Sequence, residues 1–343
     1  MWPLIRLLPQ KTNFTYVKFA GLMAFLSITA VLATFASIAT GGFRANPVAM
    51  YQEAQGTPLQ KAQFILSHGF NLGIDFQGGT LLEIEAPRPL DLQQLREGVG
   101  SLNLGDVQVQ GFSDPNRAMV RFQAPQGRNP EQVLNQVRAE LSSLAAGVRF
   151  TRTEEVGAKV SGELFLSGLA ALGLAILLML IYIWFRFEWQ FGLGAVLGLF
   201  HDVILTLGIF SFFRIEFTLT IIAALLTIIG YGINDTVVVF DRIRENLRKY
   251  KRMPLSDIID LSLNETLSRT IITGVTALMA LVGLYFFGGE SLSGFAIAMI
   301  FGIVTGTYSS LYVAAPAILI WGVKRGEGDP ARGAGREAAD ASV

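Results

Sequence analysis

The chain has 343 residues, with 27 basic and 27 acidic side chains and no net charge. Hydrophobic residues make up 51% and charged residues 16% of it, whereas soluble domains have about 25% charged residues. The balanced charge gives no indication of nucleic-acid binding, and the absence of cysteine excludes disulfides and thiol chemistry. Two histidines give no basis for a multi-histidine metal site. We expect a membrane protein that is not an enzyme and uses no cofactor or metal.

Apolar residues cluster in runs of about 20, the length that a helix needs to cross a bilayer. The sequence therefore predicts a polytopic α-helical membrane protein with six transmembrane helices, the last five forming a bundle over residues 164–321. Gly194/Gly198 and Gly302/Gly306 are GxxxG pairs, which predict close helix contacts. The predicted spans are residues 17–39, 164–184, 191–212, 217–240, 266–287 and 292–321.

The first span has a basic flank, as a signal peptide does. Its uncharged run, residues 19–42, is longer than the about 7–15 apolar residues of a signal peptide, which predicts an uncleaved anchor. Short-loop lysines and arginines lie mainly on one side of the predicted membrane, and the short loops of the other side hold only Arg214. The positive-inside rule then makes residues 1–16 and 322–343 cytoplasmic. The tail, rich in glycine, alanine and charge, is predicted to be disordered.

The long polar segment, residues 40–163, is predicted to lie outside the cytoplasm. Periodicity within it, near residues 80–156, gives the order βαββαβ, which is that of the ferredoxin-like fold. This predicts a small α+β domain between the first and second helices, with little room for a large ligand pocket. The predicted strands are residues 81–86, 107–112, 118–124 and 148–156, and the predicted helices are 91–102 and 130–144.

Four ionisable residues lie within the predicted spans: His201, Asp202, Asp235 and Arg269. Such a residue costs roughly 2.5–3.5 kcal/mol on insertion scales, and ion or proton movement is its commonest purpose. At a rise of about 1.5 Å per residue, His201 and Asp202 lie near the midplane. Asp235 and Arg269 share a depth in the inner half if their helices are neighbours.

Burial raises the pKa of a carboxyl group and a nearby guanidinium lowers it, so an aspartate held between the two can switch protonation when a neighbour moves. His201 and Asp202 are candidate relay residues, since histidine titrates near neutral pH, and Asn234 is a candidate for lining a hydrated path. The alternatives are packing for Asp235, snorkelling for Arg269, and a structural pair for His201 and Asp202. Residues 241–264, which mix both signs of charge, are interpreted as a solvated helix.

Several motifs together resemble those of the SecF family, the smaller of two membrane partners in bacterial protein export. The resemblance covers nearly the whole chain apart from the tail. One span, an outer domain and five more spans is also the family's architecture, and that of one half of the resistance-nodulation-division exporters. The motifs are GIDFQGG at 73–79, FHDV at 200–203, YGINDTVVVFDRIREN at 231–246, NETLSRTIIT at 264–273 and SLSGFAIAMIFGIVTGTYSSLYVA at 291–314.

The resemblance implies a subunit in the bacterial cytoplasmic (inner) membrane that works with SecD beside the SecYEG channel. It implies use of the proton gradient to help draw preproteins across, with YajC as a further possible partner and lipid around the spans. By motif position, Asp235 falls on the family's essential membrane carboxylate and Arg269 on the arginine thought to influence its protonation. Gly232 stands where many members have serine. The residues implied at the hinge between first span and outer domain are Gly73, Asp75, Gly78 and Gly79.

Two other interpretations stay open from the residues themselves. One is a subunit of a proton-coupled small-molecule or lipid exporter of the same superfamily, although the small outer domain offers barely any substrate cleft. The other is a scaffold protein in which Asp235 is structural. Proton dependence separates the scaffold from the first two, and copurification separates export of proteins from efflux. Both a proton and a sodium ion fit the sequence as the coupling ion.

Overall fold

A computed structural model describes residues 12–43, 64, 68–105, 107–112, 114–125 and 127–323. The predicted disordered tail, apart from its first two residues, and most of the predicted cytoplasmic N-terminus lie outside these residues. The chain divides into two compact units, which we describe separately. One unit comprises the chain up to Asn71 and from Ala171 onward, and the other is Leu72–Ala170.

The elements follow one another along the chain in an order that places a short stretch of sheet and helix between the first long helix and the other five. In chain order they are α1 (Tyr16–Ala39), β1 (Asn71–Leu72), α2 (Ile74–Gln77), β2 (Gly79–Glu85), α3 (Leu92–Gly100), β3 (Val107–Gly111), β4 (Arg117–Phe122), α4 (Pro130–Leu144), β5 (Arg149–Val156), α5 (Ala158–Arg186), α6 (Trp189–Phe213), β6 (Glu216–Phe217), α7 (Leu219–Lys249), α8 (Leu255–Phe287), α9 (Glu290–Ser309), a π-helical segment (Ser310–Ala314) and α10 (Ala315–Trp321).

Six stretches of helix in the described residues are long and apolar enough to cross a membrane, which confirms the predicted fold class. The first five are α1, α5, α6, α7 and α8, and the sixth span runs through α9, the π-helical segment and α10. A long span was predicted there as one continuous element, but its α-helical pattern is interrupted at Ser310–Ala314. Short π-helical segments frequently occur at functional sites.

The predicted solvated helix over residues 241–264 is in fact two helix ends joined by a turn. Helix α7 continues to Lys249, and α8 begins at Leu255, well before the predicted residue 266. Apolar side chains on these extensions are fully buried, among them Ile243, Ile258 and Leu263. Their helical spacing gives each extension an apolar stripe that packs on the bundle.

The core of the membrane unit lies among α6, α7 and the sixth span. Large side chains such as Phe191 and Phe240 are fully buried and meet edge to face, with ring centroids 5.4 Å apart. The predicted glycine pairs lie in this core. A methyl group at Gly194 would lie 2.6 Å from the carbonyl oxygen of Ala314, and one at Gly302 would lie 2.4 Å from Ile228 Cδ1. These glycines let the helix backbones approach closely.

The second unit contains a four-stranded antiparallel sheet in the order β3-β4-β2-β5. With α3 and α4 connecting the strands, this is the predicted ferredoxin-like βαββαβ topology. Each strand lies within two residues of its predicted ends, and α4 has the predicted bounds. The helices bury an apolar stripe against one face of the sheet. The fully buried core side chains include Leu82, Ile84, Val120, Phe122, Val99, Val137 and Leu141.

The GIDFQGG motif forms α2 and the start of β2. Gly78 and Gly79 have φ values of 73° and 111°, a region that favours glycine. A methyl group at Gly79 would also lie 2.7 Å from the carbonyl oxygen of Phe122. Asp75 lies in the single turn of α2, and Gly73 precedes it with an ordinary φ of −72°. Two of the four predicted hinge residues, Gly78 and Gly79, therefore have a backbone conformation that would be strained in a residue with a side chain.

Candidate functional site

Asp235 lies on α7 and receives hydrogen bonds from two other spans. Thr270 on α8 donates its hydroxyl to Oδ1 at 2.6 Å, and Ser310 of the π-helical segment donates to Oδ2 at 3.0 Å. Both donors are buried, whereas the aspartate is half-buried. Hydroxyl donors stabilise the ionised carboxylate without supplying a counter-charge. Because the two donors lie on different spans, a change in the charge of Asp235 alters contacts on three spans at once.

Asp202 lies on α6 and is more deeply buried, with 6% of its surface exposed. Its Oδ1 lies 3.0 Å from Nδ1 of His201, and its Oδ2 accepts a hydrogen bond from Ser309 at 2.8 Å. His201 is equally buried and stacks on Tyr308, with ring centroids 5.8 Å apart. Its other ring nitrogen, Nε2, is buried without a hydrogen-bond partner among the described residues. An imidazole nitrogen in this position can accept or release a proton when water reaches it.

The two carboxylates are connected through consecutive residues. Ser309 ends α9 and bonds Asp202, and Ser310 opens the π-helical segment and bonds Asp235. On this turn of helix, neighbouring side chains point about 100° apart, so one serine faces α6 and the next faces α7. Two acidic groups on different spans therefore meet the same point of the sixth span.

Two predicted site residues are not part of this cluster. Arg269 is exposed, and no ion pair joins it to Asp235 in the part of the chain described. Its neighbour Thr270 makes the contact instead, because adjacent residues on a helix face different directions. Asn234 is also exposed and lines an open groove of about 390 Å³ between α5 and α7. Met179, Tyr182 and Val237 form part of the same groove.

Sequence reasoning missed the three hydroxyl donors, Thr270, Ser309 and Ser310. All three lie inside the NETLSRTIIT and TYSSLYVA stretches that carried the family resemblance, but none is ionisable and so none stood out. The signal available in the sequence was the depth of these three hydroxyl residues within the predicted spans. A buried hydroxyl in a membrane helix commonly bonds the carbonyl four residues before it, and only the packing of the helices shows which hydroxyls also reach a carboxylate.

The NETLSRTIIT stretch has a second role at the start of α1. The amide of Asn264 pairs with the backbone of Phe14, accepting from its N–H at 2.9 Å and donating to its carbonyl at 2.8 Å. One turn earlier on α8, Asp260 accepts the backbone N–H of Val17 at 2.9 Å. The helix-capping residue of α1, Thr15, makes no side-chain capping bond of its own. Helix α8 thus supplies the cap of α1 from outside, and we call these contacts the α1 clamp.

Among the described residues, no group of three or more histidine, cysteine, aspartate or glutamate side chains lies together as metal ligands. The cluster instead combines two carboxylates, one imidazole and three hydroxyls within the membrane unit. Carboxylates and imidazoles are the side chains that bind and release protons, and the hydroxyls supply hydrogen bonds to them. Together they can form a site whose charge changes by one unit at a time.

The family "Protein export membrane protein SecD/SecF, C-terminal" matches residues 136–324, and the "SecD/SecF GG Motif" matches residues 64–86. The chain is 49% identical to the protein translocase subunit SecF of Cereibacter sphaeroides, over 76% of this chain and 83% of the relative. It is 40% identical to that of Ketogulonicigenium vulgare, over 94% and 93%.

A crystal structure of SecDF from Thermus thermophilus, described as a translocon-associated membrane protein, superposes with a TM-score of 0.73 at 30% identity. The match covers 94% of this chain and 40% of the SecDF chain, so this chain spans less than half of that protein. The family matches, the identities and the shared fold agree with the resemblance seen in the motifs. The chain is a multi-pass membrane protein that belongs to the SecF family of protein translocase subunits.

Proposed function

We propose that this protein uses the proton gradient to promote preprotein translocation, working with SecD beside the SecYEG channel in the bacterial inner membrane. Both termini lie in the cytoplasm, and residues 40–163 form the extracytoplasmic domain. YajC and membrane lipid are further partners in this proposal. The observation that carries it is the position of Asp235, a membrane carboxylate that accepts hydroxyls from two neighbouring spans and has no ion pair within the described part of the chain.

The arrangement of Asp235 supports proton binding because its partners suit both charge states. A hydroxyl can donate to a carboxylate and can also accept from a protonated carboxyl group. An arginine salt bridge would favour only the ionised state. In this proposal Arg269 acts on Asp235 only when the helices move, because in this structure it is exposed and no ion pair joins the two among the described residues. Asn234 lines the groove between α5 and α7, which in this proposal is the path by which water reaches α7.

Proton binding would move helices because it changes contacts on three of them together. Neutralising Asp235 weakens its hydrogen bonds with the Thr270 and Ser310 hydroxyls, so α8 and the sixth span are both held less tightly to α7. One charge crossing about 100 mV supplies about 2.3 kcal/mol, and several protons would bias a large motion. The extracytoplasmic domain would then swing about the glycines of the GIDFQGG motif, and release of the proton to the cytoplasm would reset it.

The experiment is preprotein export into inverted membrane vesicles, with and without a proton gradient, comparing wild type with Asp235→Asn. The substitution keeps the size of the side chain and removes its charge. We expect the gradient to accelerate export in the wild type and to have no effect in the variant. A variant that keeps the full gradient response would overturn the proposal and leave a scaffold role.

Asp241→Asn provides the matched control. Asp241 lies on the same helix, its side chain is 40% exposed, and it forms ion pairs with Arg186 and Arg244. Exposed ion pairs contribute little to stability, so this variant should keep the gradient response. Copurification of SecD and the SecYEG channel with the tagged chain separates protein export from small-molecule efflux, since an exporter subunit would recover neither.

A further inference from the structure

Ser309 and Ser310 each have a choice between two acceptors. The hydroxyl of Ser309 lies 2.8 Å from Asp202 Oδ2 and 3.2 Å from the carbonyl oxygen of Gly306. The hydroxyl of Ser310 lies 3.0 Å from Asp235 Oδ2 and 3.0 Å from the carbonyl oxygen of Thr307. A serine hydroxyl carries one proton, so at any moment it donates fully to one acceptor only.

The protonation state of each aspartate decides which acceptor the serine uses. An ionised carboxylate accepts the hydroxyl proton. When the aspartate is protonated on the oxygen that faces the serine, its own O–H donates to the serine oxygen, and the serine proton turns to the backbone carbonyl. Each serine then keeps a complete set of hydrogen bonds in both states. The hydroxyl changes its acceptor by rotating its hydrogen, so no heavy atom has to move.

The two choices are linked because both backbone acceptors lie on the same turn of the sixth span. The carbonyl oxygens of Gly306 and Thr307 are consecutive, and the Gly306 oxygen also accepts the backbone N–H of Ser310. A hydroxyl of Ser309 that turns to Gly306 therefore shares its acceptor with the backbone N–H of Ser310. This turn leads into the π-helical segment, where the hydrogen-bonding pattern of the helix is already displaced by one residue.

We propose that Ser309 and Ser310 form a paired hydroxyl switch through which proton binding at Asp202 is coupled to proton binding at Asp235. Asp202 is then a second proton-binding group, and the sixth span transmits its state to α7. This inference deepens the proposed function and rests on Asp235 as the coupling carboxylate. Both serines are fully buried, so bulk water does not compete for their hydroxyl protons.

Among the described residues, the other titratable or charged groups near the two aspartates lie on α6, α7, α8 and the sixth span. His201 on α6 bonds Asp202, and Tyr308 on the sixth span stacks on that imidazole. Tyr231 lies one turn before Asp235 on α7. Arg269 on α8 precedes Thr270 in the chain, and its side chain is exposed. Helix α7 faces Asp202 with Gly232, where a methyl group would lie 3.3 Å from Oδ2. Of these, only His201 is hydrogen-bonded to either aspartate, so the serines are the shared connection.

Infrared difference spectroscopy during a pH titration tests the coupling on the full chain reconstituted with its copurified partners. The carboxyl band that disappears in Asp202→Asn reports proton binding at Asp202. The coupling is the change in the midpoint of this band when Asp235 is replaced by asparagine. A hydrogen bond to a charged group changes such an equilibrium by about tenfold, so we expect a coupling of this order in the wild type.

We expect Ser309→Ala/Ser310→Ala to reduce the coupling to less than half, and each single variant to reduce it as well. Thr305→Val is the matched control, because Thr305 is a buried hydroxyl on the same helix that bonds only backbone carbonyls. Ser310→Thr keeps a hydroxyl and should keep the coupling. If the alanine variants retain more than half of the coupling, the two charges act directly and the switch is wrong; absence of coupling in the wild type overturns it too.

This titration does not read export. A gradient response that survives Asp235→Asn would therefore refute the proposed function while leaving a measured coupling intact. Conversely, a lost gradient response together with an unchanged coupling in the serine variants would refute the switch alone.

Discussion

Replacement of Gly194 by alanine tests how closely α6 must approach the sixth span. The added methyl group would lie 2.6 Å from the carbonyl oxygen of Ala314, the last residue of the π-helical segment. Carbon and carbonyl oxygen normally come no closer than about 3.3 Å. The two backbones must therefore separate by several tenths of an ångström, and overpacking of this kind costs about 1–3 kcal/mol.

Gly192→Ala is the matched control, two residues earlier on the same helix. A methyl group there would lie 3.5 Å from Ile183 Cγ2, an ordinary contact. Both variants gain about 0.5–1 kcal/mol from the higher helix preference of alanine. The difference between them therefore isolates the close approach, and we expect Gly194→Ala to be the less stable variant by about 1–3 kcal/mol.

Unfolding of the purified variants in detergent measures this difference, and gradient-driven export measures its effect on the site. Because the displaced segment carries Ser310, Gly194→Ala should also weaken the gradient response, whereas Gly192→Ala should not. Equal stability of the two variants would show that the helices are not held at this distance in the membrane and would refute the reasoning.

Three further predictions concern the site and the α1 clamp. Thr270→Val removes a hydroxyl donor of Asp235 with little change in side-chain volume, so gradient-driven export should fall severalfold. The control, Thr276→Val, loses only bonds to backbone carbonyls and should behave as wild type in the same vesicles. Gly232→Ser should retain the gradient response, since the family often has serine there and Asp202 Oδ2 on α6 offers an acceptor for its hydroxyl. Loss of the response would contradict the position of residue 232 beside Asp202. Asn264→Ala removes two hydrogen bonds to the Phe14 backbone and should cost about 1–3 kcal/mol in a detergent unfolding experiment, with unchanged stability counting against the clamp.

Much of the architecture could be predicted from periodicity alone. The spans are long apolar runs, and the sheet domain has alternating strands and amphipathic helices whose apolar stripes are the ones buried, such as Val133, Val137 and Leu141. The extension of α8 before residue 266 was missed because its charges mark it as polar. Only the packing shows that Ile258 and Ile259 on one side of it are fully buried.

The site was predictable only in part, for a physical reason. Charge in an apolar span is visible in a sequence, so Asp202 and Asp235 could be identified. The direction in which a side chain points depends on helix rotation, which depth does not determine. Rotation decided that Thr270, the neighbour of Arg269 along α8, is the residue that contacts the carboxylate. The π-helical segment that positions Ser310 has no recognisable signature in the sequence.

The α1 clamp has a consequence for the order in which the protein assembles during synthesis. Its two halves are separated by 243 to 250 residues along the chain. At translation rates of about 5–20 residues per second, the first span would wait on the order of tens of seconds for the residues that cap it. During that interval the start of the first helix lacks its side-chain partners. The fifth span therefore completes the first one, and truncation before residue 260 would leave α1 without its cap.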